Sequence, residues 1–135
     1  MTMTQVDLAS LLADAARLCP GVRRAVLVDQ GGVLVDGACF DPRLEGVMEE
    51  LGAEALAGMA ALGGLVRAAR TGGPEEVIIG GAEGVAVLRC IPCVGLVLVL
   101  DASPEPYLGR IRLAGRLLAG RLAERLGPAP PVDSG

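Results

Sequence analysis

Cys90-Ile91-Pro92-Cys93 has the C-x-x-C spacing shared by redox-active disulfides and by one half of a zinc site, and it is the sharpest chemical signal in the sequence. A redox pair of the thioredoxin kind sits where a strand meets a helix, whereas the apolar runs on either side of this pair place it between two strands. Cys19 and Cys39 lie outside any second C-x-x-C that would complete a four-cysteine site. Cys90 and Cys93 are the only metal or redox candidates. The simpler expectation for them is two small residues beside a tight hairpin in a reducing compartment, with no cofactor.

The rest of the chemical inventory is thin. The chain has no His and all twelve basic residues are Arg, so the commonest general base and the amine nucleophile are both absent. Ser10, Ser103 and Ser134 have no imidazole to activate them, and Glu49 and Glu50 read as a solvated helix edge. The glycines of Gly80-Gly81-Ala82-Glu83-Gly84 lead into a strand and do not spell G-x-G-x-x-G, so a hairpin explains them better than a phosphate cradle. Arg110, Arg112, Arg116, Arg121 and Arg125 make the last helix locally basic, which suits the helix dipole as a solvated face. No enzymatic activity of the chain's own is expected.

The elements that would position these residues are legible from periodicity. Gln5 to Leu18 is an amphipathic helix with a stripe at Leu8, Leu11, Leu12, Ala15 and Leu18, closed by Pro20-Gly21. Arg24 to Val28 and Val33 to Ala38 form a hairpin around Asp29-Gln30-Gly31-Gly32. Asp41 caps, and Pro42 opens, one long helix from Leu44 to Arg70. Strands follow at Glu76 to Ile79, Val85 to Cys90 and Val94 to Leu100, and a last helix runs from Tyr107 to Leu126 with a stripe at Leu108, Ile111, Gly115, Leu118, Leu122 and Leu126. The order α-β-β-α-β-β-β-α gives an α+β sandwich, with five antiparallel strands carrying one helix on one face and two on the other.

The long helix has two faces that both call for cover. Leu44, Val47, Met48, Leu51, Ala55, Met59, Leu62, Leu65 and Val66 form one apolar stripe, which can cover a sheet. Ala53, Ala57 and Ala61, with Ala60 and Gly64 nearby, make a small-residue ladder on which a second helix could approach closely. Glu45, Glu49, Glu50 and Glu54 occupy its first half and Arg67 and Arg70 its end, so an antiparallel copy would set acid against base.

Composition narrows the function classes. At 135 residues the chain fits one domain, residues 1–126, followed by the proline-rich tail 127–135, which is expected to be disordered. A net charge of −4 and one Phe, one Tyr and no Trp argue against a nucleic-acid binder. The longest strongly apolar run, Val94 to Leu100, is too short to span a bilayer, and the first residues lack the basic start of a signal peptide, so a cytoplasmic protein without membrane contact is expected.

Over nearly its whole length, about Gln5 to Leu126, the chain resembles the Roadblock (dynein light-chain) family, through PGVRRAVLVDQGGVLV, EEVIIGGAEGVAVLRC and GLVLVLDASPEPYLGRIRLAGRLLAGRL. The resemblance implies a Roadblock, profilin-like fold and a homodimer in which the long helices pack antiparallel and the strand after them, Glu75 to Gly80, pairs with its twin. Glu50, Ala53, Ala57, Ala60, Ala61, Gly64, Val77, Ile78 and Ile79 are the expected interface. In this topology Cys39 lies at the sheet end opposite the Cys90–Cys93 hairpin. Bacterial members similar to the mutual-gliding-motility B protein bind a small Ras-like GTPase, which would be the partner here. With no G-x-x-x-x-G-K-[ST] and no Lys, this chain would be the regulator and not the GTPase. The alternatives are a structural dimerisation scaffold without a GTPase partner and a metal or redox protein centred on Cys90 and Cys93.

Overall fold

The computed structural model describes residues 5–91 and 94–127, positions 5–7 as backbone alone. Two short helices open the chain, α1 (Gln5–Ala13) and α2 (Ala15–Leu18). The expected single helix is interrupted at Asp14, where the backbone bonds tighten to the three-residue spacing: Asp14 N–H donates to Leu11 O at 3.1 Å and Arg17 N–H to Asp14 O at 3.1 Å. The apolar stripe survives the break, with Leu8, Leu12 and Ala15 buried and Leu11 and Leu18 half-buried.

Strands β1 (Val22–Asp29) and β2 (Leu34–Cys39) form the expected hairpin. Its turn is set by Asp29, whose Oδ1 accepts from Gly31 N–H at 2.9 Å and Val33 N–H at 3.0 Å, while Gly32 takes the left-handed conformation at φ 80° that the turn requires. Strands β3 (Glu76–Gly81), β4 (Gly84–Ile91) and β5 (Leu96–Ala102) complete one antiparallel sheet in the order β2-β1-β5-β4-β3. The glycine-rich segment after Ile79 is a two-residue hairpin turn at Ala82-Glu83, as expected. β5 starts two residues later than its apolar run, because Val94-Gly95 serve the turn, with Gly95 at φ 66°.

The long helix is three pieces. A 3-10 segment (Pro42–Val47) follows Asp41, whose Oδ1 accepts from Arg43 N–H at 3.1 Å. Then come α3 (Met48–Ala61) and, after a bend of 41°, α4 (Gly63–Ala69). The bend falls on Leu62-Gly63-Gly64, where two adjacent glycines hold helix weakly and Leu62 N–H bonds back to Met59 O at 3.2 Å, three residues away. The single stripe expected from Leu44 to Val66 therefore splits: Met48, Leu51 and Met59 pack on the sheet, while Leu65 is 65% exposed. Helix α5 (Leu108–Leu126) closes the fold. It buries Ile111, Gly115, Leu118 and Leu122 as expected, but Leu108, at its first turn, is half out of the core.

Alternation along the central strands makes two cores. Ala25, Leu27, Leu98 and Leu100 face α1, α2 and α5, and Val26, Val28, Val97 and Val99 face α3. Gly52 sets how closely α3 lies on β1, since a Cβ there would collide with the Cγ1 of Val28. No single described helix is long and apolar enough to cross a membrane. The tail expected to be disordered lies, beyond Gly127, outside the described residues.

Val28 is buried and stiff at χ1, so Gly52→Ala should destabilise despite alanine's better helix propensity, by a net ~1 kcal/mol. Urea denaturation checks this; a raised midpoint would mean that α3 does not sit this close to the sheet.

Candidate interaction surface

α3 packs on β1 and β2 and leaves the same face of β4 and β3 without a helix. The uncovered strip is an apolar groove of about 380 Å³, walled on one side by Leu51, Gly58 and Leu62 and on the other by Val77, Ile79 and Leu88. β3 is an edge strand, and its two isoleucines are in water, Ile78 at 37% and Ile79 at 59% exposure. An apolar edge of this kind is a template for pairing with another chain.

The residues expected at the interface surround this groove unevenly. Glu50, Ala57, Ala60, Ala61 and Gly64 are exposed or half-exposed and Val77 is half-buried. Ala53 is exposed too but leans the other way, toward the β1–β2 hairpin, since a Cβ on Gly32 would lie 3.4 Å from its Cα. Glu54, Gly58 and Leu62 line the groove directly but stand outside the expected interface set, Glu54 having been read only as a charge facing an antiparallel copy and Leu62 as core. Their signal was the four-residue spacing, which puts them on one row of α3.

A charged cluster at one end of the groove was also missed. Asp101, 4% exposed, is the next-to-last residue of the apolar strand β5 and takes Arg23 Nε on Oδ1 at 3.1 Å and Arg24 Nε on Oδ2 at 2.6 Å. A register shift between Val22 and Arg24 brings both arginines to one carboxylate. Arg23 Nη1 also donates to Glu83 O at 3.4 Å and Arg24 Nη1 to Val47 O at 3.4 Å. The cluster thus ties β1 and β5 to the β3–β4 turn and to the entry of α3, at the mouth of an open cavity of about 600 Å³. Gly84 leaves room for it, since a Cβ there would meet the Arg23 guanidinium and lie 2.5 Å from Ala102 O. The cysteines are quieter. Cys90 donates its thiol to Pro74 O at 3.2 Å, and burial pushes that thiol up from its ordinary range. Burial likewise raises Cys19, and Cys39 donates to Asp41 O at 2.9 Å. Pro92 and Cys93 lie outside the described residues. Among the described residues no group of three or more His, Cys, Asp or Glu could hold a metal ion.

The arginines of α5 are more than a solvated face. Arg112 Nε donates to Glu76 Oε1 at 2.9 Å, beside Arg89 Nη1 on Oε2 at 3.1 Å, and Arg110 Nε caps Leu18 O at 3.2 Å. Arg121 lies 3.6 Å from Asp14, and Arg116 and Arg125 are exposed. On the other face Arg43 is held by Asp41 in a two-bond fork at 3.1 and 2.9 Å, which lowers the Asp41 carboxyl below its ordinary range.

Asp101→Asn should cost about 3 kcal/mol, because it leaves two part-buried guanidinium groups facing a neutral amide. Chemical denaturation measures it, and a loss below roughly 1 kcal/mol would show the cluster to be no more than a surface pair. Cys90 should alkylate slowly at neutral pH, at a rate still climbing above the ordinary thiol range. Fast labelling at pH 7 would contradict its burial.

No protein-family profile and no curated protein matches the chain. Among solved structures it is similar to the gliding protein MglB from Thermus thermophilus (TM-score 0.81, 19% identity, 93% of each chain covered). A second similar structure is described as MglB with tetrameric arrangement (TM-score 0.78, 19% identity, 93% of each chain). A third is a Roadblock/LC7 domain from Streptomyces avermitilis (TM-score 0.73, 18% identity, 87% of this chain and 96% of that one). The five-stranded antiparallel sheet, its strand order and the helices on both faces are, on these likenesses, those of the Roadblock/LC7 fold.

Proposed function

We propose that this chain is a Roadblock-family protein similar to MglB: a cytoplasmic, non-catalytic homodimeric adaptor that binds a small Ras-like GTPase and modulates its nucleotide cycle. The observation that carries the dimer is the uncovered half of the sheet. α3 lies over β1 and β2, and Ile79 stands 59% exposed on an edge strand beside an apolar groove. A second copy related by a two-fold would extend the sheet edge to edge and lay its own α3 along the exposed Ala57–Ala61 side of the first. In that antiparallel pairing the exposed Glu50 and Glu54 meet the exposed Arg67 and Arg70 of the other copy.

The GTPase partner rests on the likeness to MglB and on the absence of any His or Lys with which the chain could do chemistry of its own. Acting on hydrolysis, the dimer would order the switch loops of the GTPase. Arg43 is paired with Asp41 in an exposed two-bond fork.

Ala57 is exposed, so Ala57→Glu should fold normally and sediment as half the wild-type α3-paired particle. A mutant that pairs as tightly as the wild type would remove the interface from α3. Affinity capture from host lysate on the wild-type chain should enrich a Ras-like GTPase with a non-hydrolysable GTP analogue and not with GDP. Capture of the same non-GTPase protein under both nucleotides would favour the structural scaffold.

A further inference from the structure

We propose that the outer face of α5 is a second self-interface, on which two copies of this chain pack α5 against α5 antiparallel. α5 buries Ile111, Ala114, Gly115, Leu118 and Leu122 against the sheet, on the face opposite α3. At 3.6 residues per turn, Arg110, Leu113, Leu117, Gly120 and Glu124 fall within a sector of roughly 80° on the side pointing away from that core. Leu113 is 51% and Leu117 39% exposed, one turn apart. Gly120 has no heavy atom within 4 Å of where its Cβ would stand, which leaves a flat place beside the leucines.

The stripe complements itself in one orientation only. With a two-fold axis at Leu117, the leucine meets its own copy, Leu113 of each helix seats on Gly120 of the other, and Arg110 of each faces Glu124 of the other. A parallel pairing would set Arg110 against Arg110 and Glu124 against Glu124. The Arg110 guanidinium is already stationed at that end of the stripe, because its Nε is held by Leu18 O at 3.2 Å. Two leucines make too narrow an apolar face for a membrane, and of the arginines bordering the stripe Arg121 is held beside Asp14 at 3.6 Å and Arg116 points to its flank, so the opposite charges at the two ends fit a second copy of the same helix better. α5 and α3 lie on opposite faces of the sheet, so this contact can form alongside the α3–β3 pairing; edge-to-edge pairing puts both α5 helices of a pair on one face, and two such pairs meeting face to face close as a four-copy particle.

Sedimentation of the full chain over a range of concentrations tests it. The wild type should reach four copies. Leu113→Ser with Leu117→Ser should stop at two copies, with unchanged circular dichroism and at least about tenfold weaker association between pairs. Arg110→Glu should weaken that association several-fold, and adding Glu124→Arg should restore it. Ala57→Glu should leave a two-copy particle joined through α5, which the two serine substitutions then reduce to a monomer. The proposal fails when the double-serine variant keeps the wild-type distribution at every concentration, or when the charge-swapped variant associates no better than Arg110→Glu. Failure of Ala57→Glu alone to halve the particle would instead count against the α3 interface and leave the α5 contact standing.

Discussion

A helix with its side chains is about 10–12 Å across, while five strands spaced about 4.8 Å apart span roughly 20 Å. One helix cannot cover such a sheet. On one face α1, α2 and α5 share the task, and the leucines and alanines beneath them are fully buried. On the other face α3 works alone, its position over β1 and β2 fixed by the missing side chain of Gly52. The exposure of Ile79, the groove beside it and the unpartnered edge of β3 all follow from that imbalance. The bend at Leu62-Gly63-Gly64 adds to it by carrying Leu65 away from the sheet.

The Asp101 cluster ties the open half of the sheet to its surroundings. Breaking it would free the β3–β4 turn, held through Glu83 O, and the start of α3, held through Val47 O, both of which border the groove. Glu76 plays the matching part below the sheet, joining the first residue of β3 to β4 and α5 through Arg89 and Arg112. The edge strand is thus pinned at both ends while its middle stays exposed, an arrangement suited to receiving another strand without losing its own register.

Local chemistry explains what was legible in the sequence. The Asp29 to Gly32 turn, the Asp41 cap with Pro42 behind it, and the α5 stripe from Ile111 to Leu122 each depend on residues a few positions apart, and each is present. Gly64 was read as part of a small-residue face, when it and its neighbour Gly63 hold helix weakly and make the bend. Leu108 has the right phase for the core but stands at the first turn of α5, where it is 48% exposed. The Arg23–Asp101–Arg24 cluster was out of reach for a different reason: its partners are 78 and 77 positions apart and meet only because β1 and β5 are neighbours in the sheet. The candidate interface was legible as a composition, small residues and a β-branched edge. Its directions, with Ala53 turned toward the hairpin and Gly58 toward the groove, required the packing of α3.

The proposed dimer requires that a second copy cover the open half of the sheet through the edge of β3. Amide hydrogen exchange of β3 as a function of protein concentration tests it most directly, because half of the strand's N–H groups point away from β4 and have no partner within one chain. In such a dimer these outward amides are protected at micromolar concentration and lose that protection on dilution, while the amides bonded to β4 keep theirs. Outward amides that exchange as fast as an unstructured loop at every concentration would contradict it.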